Sequence, residues 1–296
     1  ATLDNNESKY NPKPIYELVI RHFESMQKQY GWGSSLLYFL GAQNDVHPTY
    51  IQNLLSNSHY GTDEIVGAID YLSQLEGTAF YNGAILDTAL SFTGSENDVG
   101  GSFDVVGLFK NRNVLVLTNG PSTQKYKHAI ELYIRAVKPI VVSVNIVNDI
   151  NQELIDYYII SRNSKFLSDV DKYHNLSKPL ILPKHRFSNE ELIALDGLKL
   201  IDYGLNVSKD RFEIEATFVS IPYDITAGYL LGILNTAQVK QIKTVGFDGY
   251  DKGDIRQQEM INLFNLYHQT DNLAPIESLT PTSYPIAKGS IYAIPV

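Results

Sequence analysis

Two hydrophobic patterns divide this chain. Over the first ninety or so positions, apolar residues recur at three- and four-residue spacing, as Ile15, Leu18, Val19, Phe23 and Met26 do between Pro14 and Tyr30. That spacing predicts helices. Gly31-Trp32-Gly33 breaks the first; Ser34 and Ser35 then cap a second through about Leu40, Pro48 opens a third over Thr49 to Leu55, and Thr62 caps a fourth carrying Ile65, Ile69 and Leu72. Beyond position 104 the apolar residues come instead in short runs: Val114–Leu117, Ile140–Val144, Tyr157–Ile160, Leu180–Leu182, Phe218–Ile221, Ile242–Phe247 and Ile276–Leu279. Helical patterns fall at Gln124–Val137, Asn151–Ile155, Glu190–Leu195, Ala227–Thr236 and Arg256–Tyr267. Short apolar strands alternating with helices predict an α/β fold with a doubly wound, mostly parallel sheet. Between the two patterns, residues 91–103 are rich in Gly, Ser and Asx and read as a linker. The expected layout is a helical module over 1–90, this linker, and a Rossmann-like domain over 104–296.

The stretch Asn113-Val-Leu-Val-Leu-Thr-Asn-Gly-Pro-Ser122 has the order strand, tight turn, helix. In an open α/β sheet a ligand sits beyond the carboxyl end of such a strand. Gly120 permits close approach, Pro121 suits a first helical turn, and the free N–H groups there favour an anion such as a nucleotide phosphate. Other polar residues also follow strand ends: Asn119, Asn145, Ser161 with Asn163, Thr226-Ala227-Gly228 at a helix start, and Gly246-Phe247-Asp248-Gly249-Tyr250. Each alone is an ordinary turn residue or cap. Together, in a parallel sheet, they converge on one edge, where asparagines can meet a base and a ribose and Tyr250 a phosphate oxygen.

Composition narrows the partners. The chain has 296 residues, 44% of them hydrophobic, with net charge −9 and no cysteine. The charge argues against nucleic acid or an anionic membrane as main partner, and no apolar run reaches membrane-spanning length. Without cysteine there is neither disulfide nor thiolate metal site, which fits a cytoplasmic protein. The start at Ala1, followed by polar Thr2 to Lys13, shows no signal peptide and suggests a piece of a longer chain or a trimmed one. No G-x-G-x-x-G, Walker loop or G-x-S-x-G occurs. His22, His47 and His59 form no metal-binding pair, so a capping or packed imidazole is the expectation for each, and Trp32 reads as a packing anchor. Asp248, Asp251 and Asp254 lack calcium-loop spacing and read as a solvated loop in which a carboxylate could still meet a magnesium-bound phosphate.

Two resemblances follow. Tyr30-Gly-Trp-Gly33, Leu36-Leu-Tyr-Phe-Leu40 and Val46-His-Pro-Thr-Tyr-Ile51 resemble the helical extension behind the catalytic barrel of aldolases related to 4-hydroxy-2-oxovalerate aldolase and HMG-CoA lyase, over residues 10–90. The barrel and its His-x-His are absent, so aldol chemistry is not implied for these residues, although an aldolase-like barrel in a parent chain would be a partner. Val114 to Ser122, Asn145, Thr226-Ala-Gly228 and Gly246-Phe-Asp-Gly-Tyr250 are similar to bacterial CMP-sialic-acid-dependent sialyltransferases, and to uncharacterised proteins grouped with 6-hydroxymethylpterin pyrophosphokinase, over residues 104–296. That likeness implies that Asn119, Gly120 and Ser122 cradle phosphate and ribose. Asn145 and Asn163 would approach base or sugar, Thr226 and Gly228 would supply backbone donors, and Tyr250 would support the leaving phosphate. The implied ligand is a CMP-sugar used in bacterial surface-polysaccharide synthesis. Those transferases carry a histidine soon after the Gly-x-Asp motif, whereas Asp251 to Arg256 has none; His174, His185 and His268 lie elsewhere. Three expectations stand side by side: a nucleotide-sugar-binding, glycosyltransferase-like domain; a non-catalytic partner of an aldolase; and a magnesium-dependent pyrophosphokinase-like transferase. A homo-oligomer is compatible with all of them.

Overall fold

The computed structural model describes residues 13–293 apart from 19, 21–22, 24–34, 57–59, 76, 84 and 86–98. The Gly31-Trp32-Gly33 break, most of the Pro14–Tyr30 helix, His22, His59 and most of the linker lie outside the described residues. The chain divides into two compact units, Ala1–Thr93 and Gly94–Val296.

The described part of the first unit contains helices α1 (Lys13–Leu18), α2 (Ser35–Gln43), α3 (Pro48–Ser56) and α4 (Thr62–Leu72). Leu40, Tyr50, Ile51, Leu54, Ile65, Ile69 and Leu72 are buried together, so the three- and four-residue spacing does mark the inward faces of α3 and α4. The cap of α4 sits one position earlier than the sequence predicts. Gly61, extended, is the cap residue, and the Glu64 carboxylate reaches back to accept the Gly61 N–H at 2.9 Å, leaving Thr62 inside the helix. His47 Nδ1 accepts the Thr49 N–H at 3.3 Å at the opening of α3.

The second unit is built on eight parallel strands: β1 (Asn113–Leu117), β2 (Ile140–Val144), β3 (Tyr157–Ile159), β4 (Leu180–Leu182), β5 (Leu200–Asp202), β9 (Gln241–Val245), β10 (Ile276–Ser278) and β11 (Ala287–Lys288). Their spatial order is β11-β10-β9-β1-β2-β3-β4-β5. From β1 the chain steps outward to β5, then returns to β9 on the other side of β1. Both faces of the sheet are covered at its centre, which is why β1, β2 and β4 are almost continuously apolar, whereas β9 and β10 mix polar residues with apolar ones. Val114, Val116, Val142 and Ile242 pack under helices α10 (Thr226–Thr236) and α11 (Ile255–Gln269). Leu115, Leu117, Val141 and Tyr158 pack under Ile130, Tyr133 and Ile134 of α6 (Lys127–Val137). This is a Rossmann-like α/β fold, as the patterning predicts.

Several details differ from the sequence reading. Phe218–Ile221 (β8) is not in the large sheet. It pairs parallel with β6 (Gly204–Val207) and antiparallel with β7 (Glu213–Ile214) in a separate three-stranded sheet. Strands β5, β6, β7 and β11 carry no signal of useful length; they have two to four residues each, and Gly204 interrupts the run from Leu200 to Val207. The helix expected over Gln124–Val137 is two, α5 (Pro121–Lys125) and α6, divided at Tyr126 (φ −107°, ψ 16°). Tyr126 still donates its N–H to Ser122 O and accepts from Ile130 N, and no glycine or proline marks the division. Asn151–Ile155 is a single 3-10 turn, Gln152–Leu154, capped by the Asn151 side chain. Helices α7 (Asn163–Ser168), α8 (Val170–His174) and α9 (Asn189–Ile193) complete the layer.

Candidate functional site

The order of strands reverses at β1, with β2 and β9 on either side. Such a reversal opens a crevice at the carboxyl ends, because the connections leaving neighbouring strands run in opposite directions. Asn119 follows β1, Asn145 follows β2, Ser161 and Asn163 follow β3, and Gly246 to Tyr250 follow β9. These strands are consecutive in the sheet, and at about 4.8 Å per strand they span roughly 14 Å, a length on the scale of a nucleotide.

At the β1–β9 junction the two chains are pressed together. Thr118 N–H donates to Val245 O at 3.1 Å, and Thr123 Oγ1 donates to Thr118 O at 2.7 Å. Gly120 is the cap of α5 and Pro121 its first residue, as the sequence predicts. A Cβ on Gly120 would lie 2.0 Å from Gly246 O and 2.1 Å from Asp248 Oδ2. Gly246 has φ +80°, and its own Cβ would meet Thr118 O and Thr123 Oγ1 at 2.4 Å. Both glycines are therefore required by the close approach of these loops.

Asp248 fills the head of α5. Its Oδ2 accepts from Ser122 N at 3.1 Å and Ser122 Oγ at 2.9 Å. Thr280 Oγ1 lies 3.0 Å from Ser122 Oγ and accepts from Gly246 N at 3.1 Å. The Ser122 hydroxyl, with its one proton, lies within donating reach of both Asp248 Oδ2 and Thr280 Oγ1, and Thr280 Oγ1 also accepts from Gly246 N–H. Asp248 O in turn accepts from Ser283 N and Ser283 Oγ, both at 3.0 Å. The backbone N–H that the sequence assigns to a phosphate is thus engaged by the protein's own carboxylate. Thr280 and Ser283 were missed because they come from the far end of the chain; the only local signal is the polar run Thr280-Pro-Thr-Ser283 after a strand.

Next along the edge, Asn119 Nδ2 donates to Ile146 O at 3.1 Å, tying the β1 and β2 loops together. Asn145 adopts left-handed backbone (φ 56°), and its buried Oδ1 has no hydrogen-bond partner among the described residues. Ser161 and Thr226 share a hydrogen bond at 2.7 Å, joining the end of β3 to the start of α10. The cap residue of α10 is Ile225, whose side chain makes no cap hydrogen bond. Gly228 lies deeper: its N–H goes to Ile225 O, and its Cβ position faces Ile221 and Leu263 at 3.3 Å. Asn163 is the first residue of α7.

Tyr250 is 41% exposed, with the Arg256 guanidinium 4.3 Å from its ring centre. Its N–H donates to Gln257 Oε1 at 2.8 Å, and Arg256 is forked onto Asp254, with contacts of 2.6 to 3.2 Å. Burial pushes the Tyr284 hydroxyl up; Tyr250, Asp254 and Asp248 push it further, with Arg256 opposing. Tyr284 is consequently a hydrogen-bond donor and not a base at neutral pH. Among the described residues no three His, Asp or Glu side chains gather closely enough to hold a metal ion, Asp248, Asp251 and Asp254 included. Of the histidines, His185 Nε2 is 3.0 Å from Leu205 O and His268 Nε2 2.8 Å from Pro285 O, while His174 ends α8.

No family model matches the chain, and no curated protein matches it in sequence. In fold it is similar to the MAf glycosyltransferase from Magnetospirillum magneticum AMB-1, with a TM-score of 0.50 and 9% identity over 68% of this chain and 37% of that one. The chain therefore spans well under half the length of that protein, and at this identity the likeness is one of fold. Among the described residues no helix is long and apolar enough to cross a membrane.

Proposed function

We propose that the Gly94–Val296 unit binds a nucleotide sugar along the carboxyl edge of its sheet and serves as a glycosyltransferase-like domain. The observation that carries this reading is the reversal of strand order at β1, which sets Asn119, Asn145 and the Gly246–Tyr250 loop on three adjacent strands at one edge. A fold shared with a glycosyltransferase supports it. So does the opening of α10, where the cap residue Ile225 offers no side-chain acceptor and Thr226 is joined to Ser161 after β3, because free N–H groups at a helix start favour a phosphate. The resemblance of Asn119 to Ser122, Thr226 to Gly228 and Gly246 to Tyr250 to sialyltransferase motifs points to CMP as the nucleotide and to surface polysaccharide as the setting.

Thermal unfolding in the presence of CMP, UMP, GMP and ATP tests the reading. Selective stabilisation by CMP is expected, and Asn119→Ala, which removes the link to Ile146 O, should abolish it. A shift with ATP and magnesium alone would replace glycosyl transfer with pyrophosphoryl transfer. No shift with any nucleotide would overturn nucleotide binding and leave the non-catalytic aldolase partner as the better account.

A further inference from the structure

We infer that Asp248 is the ribose-reading residue of the proposed nucleotide site, accepting hydrogen bonds from ribose hydroxyls through Oδ1; this rests on the nucleotide-binding reading above. The carboxylate is held from one side only. Oδ2 takes the Ser122 N–H and hydroxyl, and the Asp248 carbonyl takes Ser283 N and Oγ, whereas Oδ1 makes no hydrogen bond among the described residues. Two glycines shape the loop around it: Gly246 (φ +80°) behind, and Gly249 (φ +111°), whose Cβ would lie 1.9 Å from Ser283 Oγ, ahead. Gly120 is bare where Oδ2 arrives. The result is an acceptor oxygen fixed in direction at the strand-order reversal, backed by a buried hydroxyl chain through Ser122 and Thr280.

Such an oxygen selects against a phosphate, which would set like charges side by side and find the Ser122 N–H already used. It selects for a donor; a nucleotide offers its ribose hydroxyls and the amino groups of cytosine, adenine and guanine, and a carboxylate at a strand end is a general solution for binding the hydroxyls. The phosphate is then left to other donors along the edge. Asp248 thereby distinguishes ribonucleotides from ligands that bring only phosphate.

Titration calorimetry with CMP, UMP, GMP and AMP, each beside its 2′,3′-dideoxy counterpart, tests this on the native protein and on Asp248→Asn. For the ribonucleotide that binds, the native protein should favour it over the dideoxy form by about tenfold or more, the range expected for a hydrogen bond to a charged group. Asp248→Asn should lose most of that preference, because the charge that strengthens the hydrogen bond from a ribose hydroxyl is gone. Equal binding of both forms by the native protein overturns the inference without recourse to any variant, and leaves nucleotide binding standing. A preference that persists in Asp248→Asn, or tighter binding of inorganic pyrophosphate by that variant with the ribose preference unchanged, also overturns it. Failure of every ribonucleotide to bind the native protein overturns the nucleotide-binding reading and this inference with it.

Discussion

Gly120→Ala isolates the close approach of the β1 and β9 loops. At φ −65° and ψ 154° the backbone of Gly120 suits any residue, so the substitution introduces no conformational strain of its own. What it introduces is a methyl group 2.0 Å from Gly246 O, 2.8 Å from Gly246 C and 2.1 Å from Asp248 Oδ2, against about 3.4 Å for ordinary contact. One loop must retreat by about 1.4 Å. The obstacle is backbone, and it cannot rotate away. Overpacking of this kind costs about 1–3 kcal/mol, and contact with main chain argues for about 3. Loss of glycine's freedom in the unfolded chain returns about 0.4–1 kcal/mol. The net loss is about 2 kcal/mol, which lowers the unfolding midpoint of a unit of this size by roughly 4–8 °C. Calorimetry of the native chain, Gly120→Ala and Gly228→Ala measures it. At Gly228 the added methyl meets side chain and not backbone, Ile221 Cγ2 and Leu263 Cδ1 at 3.3 Å, and helix propensity improves by about 1 kcal/mol, so that variant should stay within about 1 kcal/mol of native. A Gly120→Ala midpoint equal to native, or below it by less than Gly228→Ala, would refute the reasoning.

Two further perturbations separate stability from binding and charge. Asn145→Gly relieves a left-handed residue and removes a buried oxygen without a partner, so it should keep or raise stability by about 1 kcal/mol in urea unfolding while weakening any nucleotide shift; a clear loss of stability would show that the Asn145 amide serves the fold instead. Glu191 closes a capping box with Ser188 at the start of α9, and burial, against the two Ser188 hydrogen bonds, raises its pKa from 4.5. A raised folded-state value means that its contribution is fully present below about pH 4.5 and lost as pH climbs through the folded value. Glu191→Gln keeps an oxygen for the Ser188 N–H, so its stability relative to native should improve from pH 4.5 upward and then level off; a relative stability that falls over that window would contradict the burial argument.

The sequence by itself determined the elements whose signal is local. Val114–Leu117 and Leu180–Leu182 are unbroken apolar runs between polar turns, and Ile140–Val144 is interrupted only by Ser143, which suits strands buried on both faces; Pro121 and Pro48 mark helix starts because a proline there gives up no needed N–H. Parallel pairing was legible for the same reason, since helices alternating with strands leave no room for hairpins. Long-range packing sets which strands are neighbours, takes Phe218–Ile221 out of the main sheet to two partners too short to leave a pattern, and divides the expected helix at Tyr126. It also decides what stands at the head of α5. Asp248 comes from 126 residues beyond Ser122, and Thr280 from 158. Local pattern reports which way a side chain turns; which carboxylate arrives opposite a given N–H depends on the path of the intervening chain, and here that path brings the β9 loop against Gly120, a position with no side chain to keep it away.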